Sequence, residues 1–264
     1  MIRLKSEEEI ALLRENALMV SKTLAEVGRH IEPGITTKEL DVIAEKFIRS
    51  LGAVPGFLGY EGFPATLCMS VNDVVVHGFP SAYKLKEGDI VSVDCGTVYR
   101  GFYGDSAYTF PVGKVDARTQ QLLDATRQSL ELGIAQAVAG GRTGDIGEAV
   151  QSYCEGLGFS VVRELVGHGL GRDMHESPEV PNYGRRGHGV KLREGMVICI
   201  EPMINAGRKE VYLDENGWAV HTADGAKSAV HTADGAKSAH FEKTVVVRHG
   251  QPEVLTTFEF IEKK

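Results

Sequence analysis

Apolar residues first recur at helical spacing. Ile10, Leu13, Ala17, Val20, Leu24 and Val27 fall on one helical face, and Ser6 with Glu9 forms a capping box ahead of them. Pro33-Gly34 breaks the pattern, which predicts a helix over about residues 6–30. A second box, Thr36 with Glu39, opens a helix carrying Leu40, Ile43, Phe47 and Leu51 and closing at Gly52. The order then returns. A helical stretch over about 119–138 ends in Gly140-Gly141, and Asp145 with Glu148 opens another helix that closes at Leu157-Gly158. Apolar, strand-like runs follow each helix pair, around 67–76 and 90–99 in the first half and 159–166 and 196–200 in the second.

The return is also literal. KLKEGDIVSVD at 84–94 and KLREGMVICIE at 191–201 align without a gap at an offset of 107, and each ends in an acid, Asp94 and Glu201. Further on, Asp105 starts DSAYTFPVG and Glu242 starts EKTVVVRHG, so each half is expected to carry two carboxylates at strand positions. The arrangement implies a single α+β domain over 1–264 with pseudo-repeats at about 6–113 and 119–250, its helices packed on one face of a shared sheet.

Asp94 and Asp105 flank VYRGFYG, which reads as a hairpin turning near Arg100-Gly101. The two acids then face each other directly or diagonally, roughly 4.5–8 Å apart. Most acids point to solvent, but Asp94 ends the run IVSV and Glu201 ends MVICI, both buried-looking segments. Like charges so placed need a shared proton or a cation, and four of them need more positive charge than one proton supplies. GHGLGRDMHE adds His168 and His175 in a glycine-rich stretch, whereas His188, His221, His231, His240 and His249 read as surface residues. Oxygen donors with one imidazole suit Mn, Fe, Co or Zn, and Asp94, Asp105, His168, Glu201 and Glu242 form a donor set for two divalent ions that activate water for hydrolysis.

Composition narrows the setting. The 36 acidic residues exceed the 29 basic ones by seven with no basic run, which argues against nucleic acid or an anionic membrane as partner. No apolar run is long enough to span a bilayer and the N-terminus has no signal-peptide pattern, so the expected location is cytoplasmic. Cys68, Cys95, Cys154 and Cys199 lack CxxC spacing and read as reduced, buried thiols.

NDVVVHG around His77, VDCG at Asp94, YRGFYGD at Asp105, GHGLGR and MHE around His168 and His175, IEPM at Glu201 and AHFEKT at Glu242 together resemble the type I methionine aminopeptidases, in their short bacterial form, over essentially the whole chain. The resemblance implies the pita-bread fold and a hydrolase that removes the initiator methionine from nascent chains when the next residue is small. It implies that Asp105 and Glu242 bridge two metal ions, that Asp94 holds one and that His168 with Glu201 holds the other. Glu201 would also be the general base, and His77 and His175 would contact the scissile peptide. The methionine pocket would comprise Phe57, Tyr60, Phe63, Cys68, His77, Met174, His175 and Trp218; relatives often carry Cys where Phe57 stands and Phe where Met174 stands. The expected partners are the N-termini of nascent polypeptides, with transient contact to the ribosome, and the expected state is a monomer. A non-catalytic protein of the same fold that binds nascent chains or partners, and a proline-directed peptidase, are the alternative readings.

AVHTADGAKS occurs twice in succession, at 219–228 and 229–238. One copy is expected to form the hairpin leading back to Glu242 and the other to be extruded as a surface loop, an insertion that threatens the place of Trp218 in the pocket.

Overall fold

The computed structural model describes residues 2–213, 220–222 and 236–262. Helix α1 (Glu7–Gly28) begins at the anticipated box: Ser6 Oγ accepts from the Glu9 N–H while the Ser6 N–H donates to Glu9 Oε2. Its buried stripe contains all six apolar residues named from the sequence. Helix α2 (Thr37–Ser50) starts from the reciprocal Thr36–Glu39 box, but its fully buried apolar residues are Leu40, Ala44 and Ile48. Ile43, Phe47 and Leu51 are only partly covered, because the contact stripe follows every fourth residue.

Strands β1 (Val54–Pro55), β2 (Leu67–Val71), β3 (Val74–Val76), β4 (Ile90–Tyr99) and β5 (Phe102–Pro111) follow. The run expected over 67–76 splits at Asn72, whose positive φ of 54° turns the chain and whose side chain bonds Asp89 and the Ile90 N–H. Helix α3 (Ala117–Ile134) starts two residues earlier and stops four earlier than its apolar pattern suggested. Asp116 caps it by accepting from the Thr119 N–H, and at its far end the Ala139 N–H is committed to Arg248 O and the Gly140 N–H to Leu192 O. Helix α4 (Thr143–Gly156) has Asp145 inside its first turn, accepting from the Arg142 N–H, rather than ahead of it.

The remaining elements are β6 (Ser160–Val161), β7 (Gly167–Gly169), β8 (Glu176–Val180), β9 (Val197–Ile200), β10 (Met203–Asn205), β11 (Val211–Leu213), β12 (Val220–Thr222), β13 (Ser238–His240), β14 (Lys243–Val246), β15 (Glu253–Val254) and α5 (Glu259–Glu262). The strand expected over 159–166 contracts to β6; beyond it Leu165 and Val166 line a cavity instead.

The architecture is α+β with antiparallel pairing. The antiparallel sheet resolves into four hydrogen-bonded groups among the described residues: β4 with β1, β2 and β5; β15-β14-β9-β7-β8; β13-β10-β6; and β11-β12-β3. Side-chain and backbone bonds sew the halves together. The Glu242 N–H donates to Ala107 O, Ser106 Oγ donates to Glu242 O, and Thr244 Oγ1 donates to Asp105 O, so β5 runs beside the 240–244 segment. Helices cover the outer side. Val20, Leu24, Leu40 and Ile48 pack on Leu67, Val91, Val93 and Cys95, while Leu122, Leu130, Ile146 and Val150 pack on Ile198, Ile200 and Ile204. Because strand side chains alternate, Asp94 between Val93 and Cys95 faces the opposite way.

Of the duplicated tract, Val220–Thr222 of the first copy forms β12, and Ser238 of the second begins β13. The expected hairpin tip and extruded loop, Trp218 and His231 lie outside the described residues. No helix among the described residues is long and apolar enough to cross a membrane. All four cysteines are free and buried.

Candidate metal centre

The β4–β5 hairpin turns at Arg100-Gly101, both at positive φ, and pairs Asp94 with Ala107 and Gly96 with Asp105. Asp94 and Asp105 are therefore diagonal neighbours on one face. In the second half the acids stand just past the strands rather than within them. Ile200 pairs with Lys243 at the end of the β9–β14 ladder, which leaves Glu201 and Glu242 facing each other one step beyond it. The two segments stay in register past the acids, since the Phe241 N–H donates to Pro202 O and Met203 pairs with His240, while the Glu242 N–H turns to β5.

His168 enters from β7. Its Nδ1 lies 2.9 Å from Gly169 O, so that nitrogen carries the hydrogen and Nε2 offers its lone pair inward. Nε2 is 3.6 Å from Glu201 Oε1 and 3.8 Å from Asp105 Oδ2. Glycine at 167 is what admits the strand this close: a Cβ there would lie 2.3 Å from Cys199 O. One donor atom each from Asp105, His168, Cys199 and Glu242 falls within 4.8 Å of all the others.

The electrostatics of this cluster ask for cations. Burial, and then the charges of Glu242, Asp94 and Glu201, push the Asp105 carboxyl far above the usual range. Glu201 and Glu242 are raised in the same way, burial first and neighbouring carboxylates second. Asp94 is pushed up to about 6 by burial. Two unit charges about 4 Å apart repel by ~4 kcal/mol at an effective dielectric near 20, against a total stability of about 5–15 kcal/mol for a domain. Four ionised carboxylates cannot coexist here uncompensated. Asp94 Oδ1, Asp105 Oδ1 and Glu242 Oε1 are also buried without a hydrogen-bond partner, oxygens that a divalent ion would satisfy. Burial and the flanking His175 lower the His168 pKa to about 4, which keeps its Nε2 lone pair available. Cys199, which sequence reasoning left as a plain core thiol, stays protonated through burial and the Glu242 and Asp105 charges, with Thr244 Oγ1 at 3.6 Å. The residues fit a divalent-metal site.

A cavity of about 350 Å³ opens onto the cluster. Phe57, Tyr60, Phe63, Cys68, His77, Met174 and His175 line it together with Asp94, Asp105, His168, Glu201 and Glu242. Phe57 and Met174 are both buried in one cluster with Phe63 and Cys68. The Tyr60 hydroxyl lies 3.0 Å from His175 Nδ1, and the His175 ring sits 4.5 Å from that of His168. His77 holds φ at 59°, a left-handed conformation uncommon for a side-chain-bearing residue and frequent at functional sites.

The loop carrying His175 is fastened from the far end of the chain. Lys5 Nζ lies 2.6 Å from Glu176 Oε2 with both side chains buried, and Glu176 Oε1 accepts from the Arg172 N–H. No local pattern signals this pair, since 171 positions separate its members.

His240 corrects an expectation. Read from the sequence as a surface residue, it is 1% exposed, and its Nε2 is 3.6 Å from Glu201 Oε2. The available signal was its spacing: His240 and Glu242 are two apart, and alternate residues of an extended segment share a face. His188 and His249 are exposed as expected; the side chain of His221 lies outside the described residues.

Comparison with known proteins places this geometry. The model of metallopeptidase family M24 matches residues 11–249. The chain is 49% identical over 256 residues to the methionine aminopeptidase of Clostridium perfringens, an alignment covering 97% of this chain and 99% of that one. The crystal structure of methionine aminopeptidase from Rickettsia prowazekii superposes with a TM-score of 0.91 at 38% identity, over 97% of this chain and 100% of that one. The prolidase of Pyrococcus furiosus, at 19% identity and a TM-score of 0.73, covers 96% of this chain and 65% of its own, a likeness of fold alone. The fold is thus the pita-bread arrangement that the resemblance implied. With near-complete coverage on both sides of these alignments, the chain belongs to the methionine aminopeptidases of metallopeptidase family M24.

Proposed function

We propose that the protein works as a dinuclear metalloaminopeptidase in the cytoplasm, a monomer that clips methionine from the N-termini of nascent polypeptides whose second residue is small. The observation that carries this reading is the convergence of four carboxylates, Asp105 and Glu242 buried and Asp94 and Glu201 nearly so, with one imidazole, three carboxylate oxygens lacking any partner, at the floor of a cavity walled by aromatic and sulfur-bearing side chains.

Asp94, Asp105, His168, Glu201 and Glu242 would hold two ions drawn from Mn, Fe, Co and Zn. When bound, such ions polarise the scissile carbonyl and acidify the attacking water. Glu201, which faces the cavity, would take a proton from the attacking water and pass it to the leaving amine. With the Tyr60 hydroxyl, 3.0 Å from His175 Nδ1, as donor, Nε2–H would be left to donate toward the developing oxyanion. Burial lowers the His175 pKa, so the ring acts as a neutral donor. His77, at the end of β3, faces the same cavity and would hold the peptide on its other side. Phe57, Tyr60, Phe63, Cys68 and Met174, with Trp218 as a further expected wall, suit an unbranched thioether by shape and polarisability. Any contact with the ribosome would be transient.

The test is turnover of Met-Ala-Ser against an Ala-Pro peptide with Mn or Co added, together with metal analysis of protein purified without chelator. Release of methionine from the first peptide and close to two equivalents of metal are expected. Cleavage of the Ala-Pro peptide alone would favour the proline-directed reading, and inertness on both would favour the non-catalytic one.

A further inference from the structure

His240 is 1% exposed, and neither ring nitrogen has a hydrogen-bond partner. Its backbone cannot swing the ring elsewhere. The His240 N–H donates to Thr109 Oγ1, that hydroxyl donates to His240 O, and β13 registers His240 opposite Met203. A buried polar group without a partner costs about 1–3 kcal/mol, so packing alone would favour an apolar side chain here. Something must meet the ring, and the group facing its Nε2 is Glu201 Oε2 at 3.6 Å. The other Glu201 oxygen, Oε1, faces His168 Nε2 at the same distance. Glu201 is therefore bracketed, one imidazole to each oxygen. His168 belongs to the group of donors lying within 4.8 Å of one another, and His240 does not.

We propose that His240 is a positioning residue for Glu201: its Nε2–H donates to Oε2 and holds the carboxylate with Oε1 turned toward His168 and the metal. Closing the gap to ~2.8 Å requires side-chain ends to shift by less than about 1 Å. The inference rests on the reading of Glu201 as ligand and base, and it adds the residue that decides which oxygen does which task. Outer partners of this kind typically alter metal affinity by about 10–100-fold.

The experiment uses the full chain, stripped by chelator and titrated with Mn(II), for wild type, His240→Ala, His240→Gln and Glu201→Gln. Metal affinity is read from the rise in Tm, and kcat and KM from Met-Ala-Ser cleavage. His240→Ala is expected to bind Mn(II) about 10–100-fold more weakly and to lose kcat with little change in KM. His240→Gln, which restores an N–H donor, should recover most of both. If His240→Ala does not fold, His240→Met fills the site without a donor and takes its place. Unchanged affinity and kcat in the donor-less variant overturn the proposal. So does His240→Gln failing as badly with an equivalent of metal lost, since the ring nitrogen would then itself be a ligand. Should Glu201→Gln retain metal and turnover, the reading of Glu201 fails independently of His240.

Discussion

Asp105 is the most crowded charge in the molecule's centre. Burial disfavours its ionised form first, and Glu242, Asp94 and Glu201 add to that in turn. Asp105→Asn removes the charge at nearly constant volume. Metal-free Asp105→Asn should therefore melt at or above metal-free wild type near pH 8, while turnover falls on the order of 100-fold or more. An ion at 100 times its Kd stabilises by about 2.7 kcal/mol, or roughly 5–10 °C for a chain of this size. Most of that rise should vanish in the variant, and a variant that gains as much Tm with Mn(II) as wild type would contradict the cluster. At this scale the sequence named the carboxylates because each ends or starts a strand-like run. It did not find His240, because a histidine is buried or exposed according to what lies across from it, here Thr109 on β5 and Met203 on β10.

The elements are held in register by a few polar ties through otherwise apolar layers. Asn16, fully buried on α1, donates from Nδ2 to Phe102 O at 2.9 Å and accepts from Thr97 Oγ1 at 2.6 Å. It fastens α1 to both arms of the hairpin that carries Asp94 and Asp105. Asn16→Leu would leave those groups buried and unpaired, at a cost of about 2–4 kcal/mol. Urea unfolding at equilibrium measures it; a loss under 1 kcal/mol would mean that water replaces the amide. Helix starts were legible because capping boxes are local, as Ser6 with Glu9 and Thr36 with Glu39 demonstrate. Helix ends were less so: α3 stops at Ile134 because residues 139 and 140 bond to residues 248 and 192, partners far away in the chain.

For the whole molecule, the raised carboxylates set a pH dependence. Their unfolded pKa values lie near 4, and their folded values lie higher, about 6 for Asp94 and well above the usual range for Asp105, Glu201 and Glu242. Between those limits the native state binds more protons than the unfolded chain, so stability falls as pH rises. Thermal melts in chelator should show metal-free wild type losing Tm relative to Asp105→Asn from pH 5 to 8, with Mn(II) removing the trend; a gain over that range would refute it. The duplicated tract is a second matter of the whole chain. His221 pairs with Val74, and the Ser238 N–H bonds Asn72 O, so both ends of the 223–237 connection meet one short stretch of backbone. With one ten-residue copy deleted, a five-residue link corresponding to 223–227 remains, able to span up to ~20 Å. Metal-induced stabilisation and Met-Ala-Ser turnover should stay within about twofold of the full chain, and loss of either would show that both copies are needed.

The sequence by itself determined the helix pairs, the β4–β5 hairpin with its facing acids, and the donor types, because capping, alternation and turn formation act over a few residues. Tertiary structure alone decided that Glu201 and Glu242 meet between the β9–β14 and β10–β13 ladders, that β5 lies against the 240–244 segment, that Lys5 secures Glu176, and that His240 faces Glu201. Those are contacts between segments distant in the chain, and their energies depend on burial and dielectric, which no local pattern records.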